Sequence, residues 1–251
     1  MKAISEIKAE FEALTEKDYL SFAESYAGDE RSGVAKFCAA ARKKAEALEA
    51  EKRRIDALWA FERQYPDCRF ICGIDEVGRG PFAGPVVAGA CILPKDCDIL
   101  YINDSKKLSE KMREKLYDDI REKAVAVSVG VISAARIDEI NILQATYEAM
   151  RAAIVSLSVA PDLLLNDAVM IPEVSIPQVP IIKGDAKSIS IGAASIYAKV
   201  TRDRMMKELG KQYPAYGFEK NAGYGTAEHI SALREFGPCP EHRRSFIHDY
   251  I

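Results

Sequence analysis

The stretch from Cys72 to Pro85 limits what this chain can become more than any other. Arg69-Phe70-Ile71-Cys72 leads in as a short apolar run, the pattern of a buried strand. The run ends in two adjacent carboxylates, Asp75 and Glu76. Glycines at 78, 80 and 84, with Pro81 and Pro85, then impose irregular backbone. A second apolar run, 85–93, reads as another strand. Acidic groups are therefore expected at a strand end, beside a loop whose backbone can approach a ligand closely.

Gly78-x-Gly80-x-x-Ala83 matches a dinucleotide-binding fingerprint on paper. That fingerprint needs a helix after the glycines, with its N-terminus on the pyrophosphate. Here a strand follows, and Asp75-Glu76 would set negative charge against the phosphates. The bland alternative is a strand-end turn carrying solvated acids.

The remaining strand-like runs follow the same plan. Runs at 124–132, 161–166 and 180–182 join those near 69–76 and 85–93. Helical patterns fill 109–123, 136–158 and the segment from Ile189 to Leu209, whose small residues suit close packing on a sheet. Three strands in succession, followed by two more with helices between, predict an α/β mixed five-stranded sheet flanked by helices. Residues 1–66 differ: they are rich in Ala, Glu, Lys and Arg and hold no strand-like run. Thr15-x-x-Asp18 suggests a capping box, and a long helix is expected from Ser32 to Tyr65. This predicts an all-helical N-terminal segment, 1–66, before a main domain, 67–251. Lys43, Lys44, Lys52, Arg53 and Arg54 form basic patches on the long helix, either a solvated face or an accessory nucleic-acid contact.

Asp75, Asp167 and Asp185 share one context, each standing just past an apolar strand. Strands of one direction would bring these ends together. Acids gathered at one edge repel, and a divalent cation relieves the repulsion. Oxygen-only ligands select Mg²⁺ or Mn²⁺ over zinc, and His229, His242 and His248 lack zinc-type spacing. Glu76 can join Asp75 at one site only if the strand breaks nearby, and 77–80 is where it could. Carboxylates holding such ions beside a backbone-rich loop suit two-metal phosphodiester cleavage. The formal net charge of −3 gives no whole-chain sign of a polyanionic partner, so any basic surface is local. No apolar run reaches membrane-spanning length, and six cysteines without a paired C-x-x-C pattern suit a reducing, cytoplasmic setting.

Gly73-Ile74-Asp75-Glu76-Val77-Gly78-Arg79-Gly80-Pro81 resembles the first motif of bacterial type 2 ribonuclease H, ribonuclease HII. Later motifs of that family are matched in order by 104–108, 164–167, 183–185, 193–203, 223–226 and 242–246. The resemblance spans roughly 70–250. It implies a ribonuclease H-like fold, and cleavage of RNA–DNA hybrids and of ribonucleotides embedded in duplex DNA. It also implies 5'-phosphate and 3'-hydroxyl ends and a monomer. Asp75, Glu76, Asp167 and Asp185 are the implied metal-binding carboxylates. Gly78, Arg79, Gly80, Lys106 and Tyr224 are the implied substrate contacts, Tyr224 stacking on the sugar at an RNA-to-DNA junction. Gly78-Arg79-Gly80 argues against the related ribonuclease HIII. The helical segment resembles an extension found on some bacterial members. Two positions depart from the family pattern: Ala168, where many members have Gly, and Ala222, where Lys is common. Arg243 and Arg244 are candidates for DNA-backbone contacts, and Asp203 for an ion pair with Arg202 or Arg204.

Overall fold

The computed structural model describes residues 1–95 and 97–251, which form two compact units, Met1–Ala57 and Leu58–Ile251.

The first unit is helical. Helices α1 (Ile4–Glu12), α2 (Tyr19–Ser25) and α3 (Ser32–Leu58) gather Ile7, Phe22, Ala23, Val34, Cys38 and Ala41 into one core. Phe11 stacks on Phe37 at 5.5 Å between ring centroids. Asp18 sits at the N-cap of α2, not inside its first turn, and accepts from the Thr15 amide and hydroxyl. The expected box is thus a turn preceding the helix. Much of the basic character of α3 is spent locally. The Lys44 ammonium lies 4.7 Å from the Phe11 ring, Lys52 pairs with Glu49 and Arg54 with Glu51.

Helix α3 stops at Leu58, short of Tyr65. Pro66 disfavours helix at the residue before it. Phe61 and Tyr65 instead pack on a cluster of Ile71, Leu163, Leu165, Ile181 and Ile191. A short 3₁₀ turn, Glu62–Gln64, lets the buried Glu62 carboxylate accept from the Ser188 hydroxyl and the Ser190 amide, at 2.6 and 3.1 Å.

In the second unit the strands are β1 (Ile71–Val77), β2 (Val86–Ile92), β3 (Ala126–Ile132), β4 (Leu163–Asp167) and β5 (Gln178–Ile181). They form one sheet in the order β3-β2-β1-β4-β5. Pairings β1/β2 and β2/β3 are antiparallel, and β1/β4 and β4/β5 are parallel. Pro180 is tolerated because β5 is an edge strand. Helix α4 (Glu110–Lys123) links β2 to β3, and α5 (Ala134–Val155) links β3 to β4. No helix lies between β4 and β5, contrary to expectation. There the side chains of Asn166 and Gln178 hold a loop closed, Gln178 accepting from the Ile171 amide and donating to its carbonyl.

Helix α5 is broken at Asn141, whose φ is 67° and whose Oδ1 accepts from the Leu143 and Gln144 amides. The break shifts the helical phase. Leu143 is exposed, while Ala145, Ala149, Met150 and Ala153 join the core on one side of the sheet. Helix α6 (Ile189–Gln212) covers the other side. It lies so close that a Cβ at Gly73 would come within 2.0 Å of Ser190 backbone, and one at Gly89 within 2.4 Å of the Ala194 carbonyl. Helices α7 (Phe218–Asn221), α8 (Ala227–Phe236) and α9 (Arg244–Ile247) complete the chain. None of the six cysteines is in a disulfide, and burial pushes the Cys72 thiol up to about 12. Among the described residues no helix is long and apolar enough to cross a membrane.

Candidate active site

The parallel register of β1 and β4 pairs Ile74 with Asn166, so Asp75 and Asp167 follow side by side at the same sheet edge. Side chains two apart on a strand share a face. Gly73 faces α6, so Asp75 and its neighbour Asp167 do as well. Beyond β5, Lys183 adopts a left-handed conformation (φ 58°) that swings the chain into the turn Gly184–Ala186. The Gly184 amide then donates to Asp167 Oδ1 at 2.7 Å, and Asp185 follows directly. Strand β1 runs regularly through Glu76 to Val77, and the irregular backbone begins at Gly78, φ 88°. Glu76 turns its carboxylate toward Arg79, 3.3 Å away.

These acids share a field. Burial drives the Asp75 carboxyl well above the usual carboxylate range, and the charges of Glu76 and Asp167 push it further. A hydrogen bond from Ser195 opposes the rise. Ser195 Oγ lies 3.1 Å from Ser105 Oγ, both groups buried. Glu76 is raised by burial, opposed by Arg79, and raised again by Asp167. Asp185 is raised by burial and by Asp104 and Asp167, with Lys106 opposing. The donors are all oxygens, the set that hard divalent cations take, and positive charge is what the cluster lacks. Among the described residues no three such groups stand within one coordination sphere of each other. Their coupling here is electrostatic, through a shared field.

Two buried arginines carry the loop after β1. Arg202, on α6, donates to the carbonyls of Pro85, Ala222 and Ala83 at 2.8–3.2 Å. Arg243 donates to the carbonyls of Gly84, Arg79 and Gly78, the last at 2.6 Å. Neither side chain is exposed to solvent, and burial lowers them to about 10 and about 9. Both remain cationic at neutral pH, and the loop's carbonyl oxygens satisfy their donors. The Phe82 and Ala83 amides donate to the Gly223 carbonyl, which joins this loop to the 223–225 strip. Tyr224, 47% exposed, has its ring beside Gly80.

The chain matches the family model "Ribonuclease HII" over residues 72–249 and "Ribonuclease HII N-terminal domain" over 3–66. The chain belongs to the ribonuclease HII family. Ribonuclease HII of Lachnoclostridium phytofermentans is 63% identical over 97% of this chain and 96% of its own length. That of Bacillus cytotoxicus is 54% identical over 87% of this chain and 85% of its own. Among solved structures, ribonuclease H2 from Pyrococcus horikoshii superposes with a TM-score of 0.61 at 28% identity, covering 72% of this chain and 96% of that one. The RNase HII of the Archaeoglobus fulgidus PCNA:RNase HII complex gives 0.59 at 27%, covering 69% and 93%. The expected ribonuclease H-like sheet with a helical segment before it is the fold observed. Ribonuclease HII enzymes cleave RNA in RNA–DNA hybrids, and this chain is a ribonuclease H of that type.

The structure brings Asp75, Glu76, Asp167 and Asp185 into one field, with Lys106 beside Asp185 and with Gly78, Arg79, Gly80 and Tyr224 along one adjoining rim. Two sequence expectations need correction. Arg243 is wholly buried and shapes the loop, so it is no surface contact for DNA. Asp203 pairs with Lys199 at 2.6 Å, one helical turn away, and not with Arg202 or Arg204. His229 and His242, scattered in sequence, meet at 2.9 Å between their Nε2 atoms. Sequence reasoning missed Ser105, Ser195 and Arg202. One signal was available: Ser195 and Arg202 continue the stripe of small and apolar residues on α6, where a polar group needs a buried partner.

Proposed function

We propose that this chain cleaves the RNA strand of RNA–DNA hybrids and also cuts duplex DNA on the 5' side of an embedded ribonucleotide, leaving 5'-phosphate and 3'-hydroxyl ends. Asp75, Glu76, Asp167 and Asp185 would hold Mg²⁺ or Mn²⁺. When bound, the cations supply an activated water and stabilise the departing oxygen. The single observation that carries this reading is the meeting of the mutually repelling acids with the arginine-backed 78–80 loop.

Each residue then has a task. Asp75 and Asp167, on adjacent parallel strands, face the same side, where they would hold a cation against the reacting phosphate. Lys106 offsets charge at Asp185 and lies where it can meet a neighbouring phosphate. With their carbonyls drawn inward to Arg243, Gly78 and Arg79 leave amide groups and the Arg79 side chain for the ribose 2'-hydroxyl and its phosphate. A site built to pair that hydroxyl leaves its own polar groups unpaired on deoxyribose, which rejects it strongly. Tyr224 packs on the following sugar. The cysteines, none of them in a disulfide, support a reducing, cytoplasmic setting.

The test is cleavage of a duplex holding one ribonucleotide, with and without Mg²⁺, by the parent and by Asp75→Asn. The variant should lose cleavage by orders of magnitude while still binding the duplex, because phosphate contacts come from other groups. Cleavage near the parental rate would reject the metal assignment. Products that a DNA polymerase cannot extend would reject the 3'-hydroxyl end.

A further inference from the structure

The strip 223–225 is clamped from below. A Cβ at Gly223 would come within 2.3 Å of the Ala83 carbonyl, and one at Gly225 within 2.2 Å of the Phe82 ring. Only the middle residue, Tyr224, projects a side chain, and it projects toward Gly80 and the solvent. The direction of that ring depends on how the Tyr224 backbone is held. Its amide donates to the Asn221 carbonyl at 2.9 Å, and its carbonyl accepts from the Thr226 amide at 2.8 Å. A third bond reaches the same carbonyl from His229 Nδ1 at 2.9 Å.

The proton positions along this path follow from its far end. The Cys239 amide donates to His242 Nδ1 at 3.0 Å, so that nitrogen offers a lone pair. A neutral His242 then carries its proton on Nε2. Nε2 faces His229 Nε2 at 2.9 Å and donates to it. His229 must therefore carry its own proton on Nδ1, the atom that meets the Tyr224 carbonyl. The path starts at a backbone amide and ends at a backbone carbonyl; His242 Nδ1 also lies 3.4 Å from the Cys239 carbonyl, but the shorter contact is to an amide that can only donate, so this nitrogen accepts. It has no seat for an additional proton. Both imidazoles are buried and walled by Tyr216 and Phe218, with ring centroids 4.7 Å apart for Tyr216–His242 and 5.4 Å for Phe218–His229. Apolar side chains would fill such a box without needing partners; two imidazoles are needed only if something requires their directed bonds.

We propose that His229 is a positioning residue for Tyr224, held in its donating tautomer by His242. The pair fixes the peptide plane at Tyr224 and thereby the ring, and so acts on discrimination between sugars and not on bond cleavage. This rests on the reading that Tyr224 senses the sugar after the ribonucleotide.

Two isosteric changes separate positioning from packing. In His229→Asn the amide nitrogen takes the place of Nδ1 and keeps the bond to Tyr224 but loses His242. In His229→Gln the amide oxygen takes the place of Nε2, keeping His242 but losing the donor to Tyr224. Each variant forfeits one bond of the path, so denaturant midpoints should fall by similar amounts. The readouts are the ¹⁹F resonance of Tyr224 in protein made with 3-fluorotyrosine, assigned by its loss in Tyr224→Phe, and the ratio of kcat/KM on a single embedded ribonucleotide to that on a long hybrid. His229→Gln should move or broaden the resonance and lower the ratio several-fold, while His229→Asn restores both toward the parent. An unmoved resonance in His229→Gln, or equal effects in both variants, would overturn the proposal. If the resonance responds as expected but Tyr224→Ala leaves the ratio unchanged, positioning stands and the sugar-sensing reading falls.

Discussion

Arg243 Nη2 donates to the carbonyl of Gly78 at 2.6 Å, joining the last motif of the chain to the first turn after β1. The same guanidinium holds Arg79 and Gly84, so removing it strands several buried carbonyls at once. Arg243→Ala should cost about 2–4 kcal/mol in urea unfolding. Arg243→Lys keeps the charge but cannot reach all three carbonyls, so it should recover part of the stability and little of the hybrid affinity. Wild-type affinity in Arg243→Lys would mean that loop shape does not matter for binding.

Ser195 is the side chain whose hydrogen bond favours the ionised form of Asp75 against burial and two neighbouring acids, with the Glu76 amide adding a second bond at 2.8 Å. Ser195→Ala should therefore raise the Mg²⁺ concentration for half-maximal cleavage several-fold, with maximal rate less affected. Ser105→Ala, one step further back, should shift it less. A metal titration of initial rates decides this; superimposable curves for parent and Ser195→Ala would remove the serine from any role at Asp75.

The place where the N-terminal helices are cut matters. Every proposed catalytic carboxylate lies beyond residue 66, so chains starting at Leu58 and at Cys68 should both cleave. Only the longer keeps Glu62, whose carboxylate serves Ser188 and Ser190 at the start of α6. Glu62→Ala in the longer chain should cost about 1–2 kcal/mol in denaturant unfolding, the usual worth of a helix cap. The shorter chain should lose more, because it also lacks Phe61 and Tyr65 from the cluster on the sheet. Equal midpoints would assign no stabilising role to this cap.

The paired histidines make stability depend on pH. Burial lowers His242 to about 4 in the folded chain, with His229 adding to the shift, and burial lowers His229 as well. In the unfolded chain both titrate near 6.5. Between those values the unfolded state binds more protons, so stability is complete above about 6.5 and falls as pH drops toward 4. For His242 the slope should approach about 1.4 kcal/mol per pH unit within this window, and His229 adds in the same direction. Denaturant midpoints across this window, compared with a His229→Leu/His242→Leu double variant, isolate the pair. Parallel slopes in the two proteins would count against it.

Much of this architecture can be read from apolar runs that end in acids. The runs before Asp75, Asp167 and Asp185 are strands because nothing else buries so many branched residues in so few positions, and their parallel ends had to meet. The helix over 32–65 was overdrawn because its periodicity continues into aromatics that the sheet claims for itself. Asn141 breaks α5 without a glycine or proline to announce it. Arg202 and Arg243 read as surface residues because what makes their burial tolerable lies far away in sequence, in carbonyls of the 78–85 loop. The histidine pair was invisible for the same reason: its members stand thirteen positions apart, one within α8 and the other in the loop after it, and only tertiary structure closes the gap.

Helix α6 holds both Ser195, against Asp75, and Arg202, against the loop that follows. They stand two helical turns apart, about 10 Å, along one side of a rod pressed onto the sheet at Gly73 and Gly89. Under the proposed function, the rod acts as a gauge between the place where a bond would be cut and the place where a sugar would be examined. Deleting one residue between 195 and 202 would rotate one post by about 100° relative to the other. Loops around the sheet can change length without disturbing either post, but the seven-residue step from Ser195 to Arg202 cannot change without turning one post away from the other.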